Sequence, residues 1–145
     1  MGLIDRLRSQ KLFIDTAPLI YFIEGQSPHN DKLLELFRAN DTGEIAFQTS
    51  TLTLLEVLVL PLKEKKLKLA KQYEQILTHS PHLDIYDVDS AIAKRAANLR
   101  ARNNLKTADA IQMATTIEKR ADFFFTNDKA LQKVKDIKVL LLEDL

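Results

Sequence analysis

The sequence contains no cysteine. That absence removes disulfides, thiolate metal sites and cysteine nucleophiles from consideration, and it suits a reducing compartment. An excess of charge of one sign is also missing: 21 Lys and Arg stand against 20 Asp and Glu, for a formal net charge of +1. A nucleic-acid partner would have to be met through local patches or metal ions, not through an overall basic surface. Long apolar runs are absent as well. The longest, Leu52 to Leu62, is too short to span a bilayer and contains Glu56. Met1 to Lys11 mixes charges with scattered apolar residues and has no h-region of a signal peptide. Arg6 stands where a myristoylation signal wants Ser or Thr. There is no internal repeat, low-complexity segment or linker. The expectation is a soluble, cytoplasmic protein with no membrane association.

What is present is an ordinary globular composition, 46% hydrophobic and 28% charged over 145 residues, which fits one domain spanning 1–145. Lys11 to Ile14 reads as a buried strand closed by Asp15 and Thr16, with Pro18 in the first turn of the helix that follows. Gly25 and Pro28 end that helix, and Leu33, Leu34, Leu36 and Phe37 mark the next. A strand over Ile45 to Thr49 leads to a helix capped by Ser50 or Thr51 and broken at Pro61. A helix over Lys63 to Leu77 and a strand over Leu83 to Tyr86 follow. Two more helices are capped by Asp89 or Ser90 and by Thr107. Strands over Phe123 to Phe125 and Lys138 to Leu142 flank a short helix opened by Asp128. This alternation predicts an α/β fold: a central, mostly parallel sheet flanked by helices on both faces. In such sheets, sites form beyond the carboxyl ends of the strands.

Four acids occupy such places. Asp15 follows the first strand, where it is either a helix cap or a site residue. Glu56 has Leu52, Thr53, Val59 and Leu60 as its helical neighbours. A helix apolar nearly all round is buried, so this carboxylate either protonates or meets a cation; a partly exposed helix Glu or a buried salt bridge is the alternative. Asp109 lies at the rim of an apolar face made by Ala110, Met113, Ala114 and Ile117, away from the Gln112 and Lys119 side; a first-turn dipole role is the alternative. Asp128 ends Thr126-Asn127-Asp128 after the phenylalanine strand, where capping competes with a site edge. Two carboxylates about 4 Å apart repel by roughly 4 kcal/mol at an effective dielectric near 20. Acids sharing a pocket therefore need a divalent cation, and an all-oxygen set suits Mg²⁺ or Mn²⁺.

The segments Phe13-Ile14-Asp15-Thr16-Ala17-Pro18-Leu19-Ile20-Tyr21, Thr49-Ser50-Thr51-Leu52-Thr53-Leu54-Leu55-Glu56-Val57, Leu105-Lys106-Thr107-Ala108-Asp109-Ala110 and Thr126-Asn127-Asp128-Lys129-Ala130-Leu131 together resemble PIN-domain nucleases. The likeness is particularly to VapC-like toxins of type II toxin–antitoxin pairs, and it covers nearly the whole chain. Ala130-Leu131, where the family often has an aromatic residue, is a small departure. The resemblance implies a PIN-like domain and a Mg²⁺- or Mn²⁺-dependent ribonuclease. Asp15 and Asp109 would hold the principal metal, Glu56 and Asp128 would complete the pocket, and Thr126 would stand beside it. It also implies RNA as substrate, a small antitoxin as partner and a homodimer. An RNA-maturation nuclease, or a non-catalytic binding module of the same fold, remains open. Receiver and haloacid-dehalogenase readings fit poorly: the first wants an acidic pair where only Asp15 stands, and the second wants an Asp where Ala17 is.

No histidine base is required, and His29, His79 and His82 read as surface residues. Two basic stretches could guide RNA: Lys63 to Lys71, better read as a solvated face, and Lys94, Arg95, Arg100, Arg102 and Lys106, which lead to Asp109. The first long helix, with Leu19, Ile20, Tyr21, Phe22 and Ile23, is either fully buried or an interface for a second copy or an antitoxin.

Overall fold

A computed structural model describes residues 2–25 and 27–145 of the chain; Met1 and Gln26, within the span expected of the single domain, lie outside them. The strands are β1 (Lys11–Ile14), β2 (Ala46–Ser50), β3 (Leu83–Tyr86), β4 (Phe123–Thr126) and β5 (Val139–Leu141). They form one sheet in the order β3-β2-β1-β4-β5, and every pairing is parallel. The chain builds outward from β1 in one direction with β2 and β3, then in the other with β4 and β5. The reversal puts a topological switch point between the carboxyl ends of β1 and β4, where open α/β sheets bind their ligands.

Side-chain alternation along the strands divides the core between the two faces. Leu12 and Ile14 of β1, with Phe125 of β4, enter one cluster; Phe13 and Phe124 enter the other and stack at 5.7 Å. The first cluster takes the buried faces of α1 (Leu3–Leu7), α2 (Thr16–Glu24), α3 (Asn30–Asp41), α4 (Thr51–Lys63) and α5 (Leu67–His79). The second takes α6 (Ser90–Arg102) and α7 (Thr107–Glu118). Helices on both faces of a parallel sheet are what the alternating pattern predicts.

The differences are local. Helix α1 was not expected: five residues, with only Leu3 and Leu7 buried, make too short a pattern to stand out among charges. Pro61 does not break α4, which continues to Lys63. Its missing N–H falls in the last helical turn, and Lys66 N donates to the Pro61 carbonyl at 2.8 Å to close the corner. Helix α7 begins at Thr107 itself, with Lys106 in the capping place. The helix opened by Asp128 is a single 3₁₀ segment, Lys129–Lys133. Among the described residues, no helix is long and apolar enough to cross a membrane.

Candidate active site

Asp15 is the first residue past β1. Its backbone N–H still donates to Phe125 O at 2.9 Å, so the sheet itself holds the residue between β1 and β4. Its carboxylate caps α2, with Oδ1 accepting from Thr16 N at 2.9 Å, while Oδ2 accepts from the Thr126 hydroxyl at 2.8 Å. Cap and site residue were alternatives on sequence; the structure shows the cap made by one oxygen and the second oxygen turned to β4. Burial pushes this carboxyl up to about 6, the two hydrogen bonds work against that, and the charges of Asp109 and Glu56 add to it.

Glu56 stands on α4, half-buried, with Oε1 accepting from the Thr16 hydroxyl at 2.7 Å. Thr16 therefore gives its N–H to one acid and its O–H to the next. Asp109, in the first turn of α7, is also half-buried. Its carboxyl is raised first by burial, then by Asp128 and Glu56, against the lowering fields of Lys106 and Lys133. Asp128 is exposed at the end of β4; its Oδ1 caps the 3₁₀ segment through Ala130 N at 3.0 Å, and its own N–H donates to Thr126 Oγ1 at 3.2 Å. All four acids line one cavity of about 260 Å³ at the switch point, with Thr16, Gln112 and Asn127 in its wall.

Among the described residues none of the four acids is ion-paired to Lys or Arg, and no three His, Asp or Glu side chains already stand as a set that could hold a metal ion. Like charges in one pocket repel, which favours carboxylates that share a cavity without converging on a point. The donors fit a hard divalent cation all the same. They are carboxylate oxygens only, two of them oriented by threonine hydroxyls, and Asp15 is held above its ordinary range by burial and then by the neighbouring acids.

The sequence model of the PIN domain matches residues 12–137. The chain belongs to the PIN-domain family. Its fold is shared with solved structures of low sequence identity. VapBC2 from Rickettsia felis, bound to a DNA fragment from its promoter, superposes with a TM-score of 0.71 at 18% identity, covering 90% of this chain and 98% of that one. A toxin–antitoxin complex from Klebsiella pneumoniae gives 0.67 at 23% identity, covering 90% and 97%. Mycobacterium tuberculosis VapC20, described as a sarcin–ricin loop cleaving toxin, gives 0.70 at 16% identity, covering 86% and 95%. No curated protein matches the chain.

Several residues of this PIN domain sit differently from the sequence expectation. Gln112, assigned to the polar side of α7, is 1% exposed and lines the acid cavity. An amide three residues after a first-turn Asp was the signal, since that spacing places both on one helix face. Arg100 is exposed and donates to Leu105 O and Thr107 Oγ1 at 3.0 Å each, and Arg102 bonds Asp136 at 3.1 Å, so both are partly engaged within the chain. The cations whose fields reach Asp109 are Lys106 and Lys133, and Lys133 was not singled out. His79 and His82 are exposed and His29 is half-buried.

On sequence, α2 was either a fully buried helix or an interface. There, Leu19 is buried and Ile20, Tyr21, Phe22 and Ile23 are half-buried, with Phe22 stacked on Phe37 at 3.8 Å. A larger exposed apolar surface lies on α4, where Leu55, Val59, Leu60 and Leu62 are 53–59% exposed.

Proposed function

We propose that this PIN domain is a divalent-metal-dependent ribonuclease, with Asp15 and Asp109 holding the principal Mg²⁺ or Mn²⁺ and Glu56 and Asp128 completing the acidic pocket. One observation carries the reading: four carboxylates, none of them ion-paired to Lys or Arg among the described residues, line a single cavity at the switch point, and Asp15 sits where burial opposes its charge. A divalent cation, when bound, supplies a Lewis acid that stabilises charge on a phosphodiester and lowers the pKa of water.

The chain's own residues do the rest. Thr16 and Thr126 fix the two oxygens of Asp15, and the Thr16 hydroxyl turns Glu56 toward the same cavity. Lys106 and Lys133 provide a positive field beside Asp109, suited to receiving a phosphate on that side. Hydrolysis with in-line attack would leave a 5′-phosphate and a 3′-hydroxyl.

The finer reading is a cytoplasmic toxin, neutralised by a small antitoxin and acting as a homodimer. Two observations support partners: the fold is that of chains solved in toxin–antitoxin complexes, and α4 exposes an apolar stripe of a kind seldom left to solvent. The deciding experiment incubates wild-type and Asp15→Asn protein with a panel of structured RNAs, a sarcin–ricin stem-loop among them, in Mg²⁺, Mn²⁺ or EDTA. Cleavage that needs metal and is lost in the variant is the expected result. Folded, partner-free wild type that cuts nothing would overturn the nuclease reading. Growth arrest on expression, relieved by the product of a small adjacent reading frame, separates a toxin from an RNA-maturation enzyme.

A further inference from the structure

Helices α4 and α7 carry Glu56 and Asp109, yet they pack on opposite faces of the sheet. Val57 of α4 belongs to one core cluster, while Ala110, Met113 and Ala114 of α7 belong to the other. Apolar packing therefore sets each helix against the sheet but not one helix against the other. At the carboxyl edge the two meet through a buried polar chain. The Ser50 hydroxyl donates to Gln112 Oε1 at 2.5 Å, and Gln112 Nε2 donates to the Thr53 hydroxyl at 2.6 Å. Ser50, Thr53 and Gln112 are at most 1% exposed.

Ser50 also caps α4, accepting from Leu52 N at 3.2 Å, so a single hydroxyl both starts this helix and ties it to α7. Next to it, the Thr49 hydroxyl donates at 3.1 Å to the carbonyl of Ile14, the residue before Asp15. The spacing gives the chain its consequence. Thr53 lies three residues before Glu56 on α4, and Gln112 three residues after Asp109 on α7; residues so spaced are neighbours on a helix surface. The Thr53–Gln112 hydrogen bond is thus one rung of a ladder whose next rung is the Glu56–Asp109 pair.

We propose that Gln112 is a positioning residue: its amide, held between Ser50 and Thr53, fixes α4 against α7 and so sets Glu56 at its working distance from Asp109. The inference rests on the metal-dependent nuclease reading above and adds to it the device that keeps the acids spaced for a cation. A glutamine is suited to this task because one planar group offers an acceptor and a donor to the two hydroxyls at once. A leucine of similar bulk would fill the space and release both.

The test titrates Mn²⁺ and Mg²⁺ into the full chain and follows the melting temperature, without RNA, for wild type, Gln112→Leu, Thr53→Val and Thr53→Ser. Gln48→Leu is the control; Gln48 is another buried glutamine, whose amide donates to Lys119 O at 2.9 Å on a strand outside the acid cavity. Groups that orient metal ligands typically change affinity by about 10- to 100-fold when lost. The metal midpoint is expected to rise about tenfold in Gln112→Leu and Thr53→Val. Thr53→Ser, which keeps the hydroxyl, stays near wild type, and Gln48→Leu melts lower without a shifted midpoint. Cleavage of RNA at fixed metal should fall in the same order. Folded Gln112→Leu and Thr53→Val proteins that keep the wild-type midpoint would overturn the positioning role while leaving the nuclease reading intact. A wild-type protein with neither a metal-dependent melting shift nor RNA cleavage would overturn the nuclease reading itself.

Discussion

Helices α4 and α7 invert the usual relation between sequence and burial. Helix α4 reads apolar on every side, yet Leu55, Val59, Leu60 and Leu62 face outward. Helix α7 carries Gln112, Thr115 and Thr116, and all three are buried. The difference teaches that each anomaly marks a task other than packing. An apolar face that the fold does not cover is a candidate surface for association. A polar face that the fold does cover must have every group satisfied, and here part of that satisfaction spaces the acids of the site.

Both helices deliver one acid to the same cavity, and removing those acids should have the largest effect of all. Glu56→Gln and Asp109→Asn keep shape and delete charge. Each is expected to slow RNA cleavage by about a hundredfold or more, since metal-assisted charge stabilisation is worth several kcal/mol. Initial rates in Mg²⁺ measure this beside thermal melts, which should not fall. If only one of the two variants loses activity, the helices are not equal partners in the site.

Asp15 lies between the helices and sharpens the contrast through stability. Its carboxyl is raised from 3.8 to about 6, a cost of at most about 3 kcal/mol once the group is ionised. The contribution of the protonated carboxyl is full below about pH 4 and is lost as the pH rises through 6. Asp15→Asn carries no charge to lose and can still accept from Thr16 N. In EDTA at pH 8 the variant should melt about 5 °C or more above wild type, and the gap should close near pH 4. A variant that melts lower at pH 8 would show that the hydrogen bonds to Thr126 and Thr16 outweigh the burial of charge.

How far the sequence revealed all this follows from the same pair of helices. The strands were plain because Leu12-Phe13-Ile14 and Phe123-Phe124-Phe125 are short apolar runs bounded by polar residues, and position at a strand end singled out Asp15 and Asp128. Glu56 was conspicuous for its apolar neighbours. Two things were not legible. Periodicity reports which residues are apolar, not which apolar side the sheet will cover, so α2 stood as a candidate interface while α4 read as buried. Nor does it tell a solvated glutamine from a buried one. Gln112 needed hydroxyls at Ser50 and Thr53, about sixty residues earlier in the chain, and pairings at that distance leave no local pattern.

The exposed stripe of α4 can be broken alone. Val59→Asp changes a side chain 55% exposed, so the isolated fold should shift by no more than about 0.5 kcal/mol. Association is where the effect should appear. Light scattering after size exclusion is expected to show a wild-type dimer and a variant displaced toward the monomer. A variant that stays dimeric would remove α4 from the interface.

The smallest effect belongs to the rest of the buried polarity of α7. The Thr115 hydroxyl donates at 2.8 Å to Ile111 O, one turn back in its own helix. That carbonyl already belongs to the helical ladder, and such back-bonding adds little to helix stability. Thr115→Val keeps the volume and leaves no donor or acceptor stranded. Its stability should stay within about 0.5 kcal/mol of wild type, with cleavage and metal midpoint unchanged, where Gln112→Leu on the preceding turn moves both. If Thr115→Val disturbs the metal midpoint as strongly, α7 acts through its general polarity and not through the one amide that crosses to α4. A silent Thr115 beside a sensitive Gln112 would divide the buried polar face into groups that satisfy themselves and the single group that holds another helix in place.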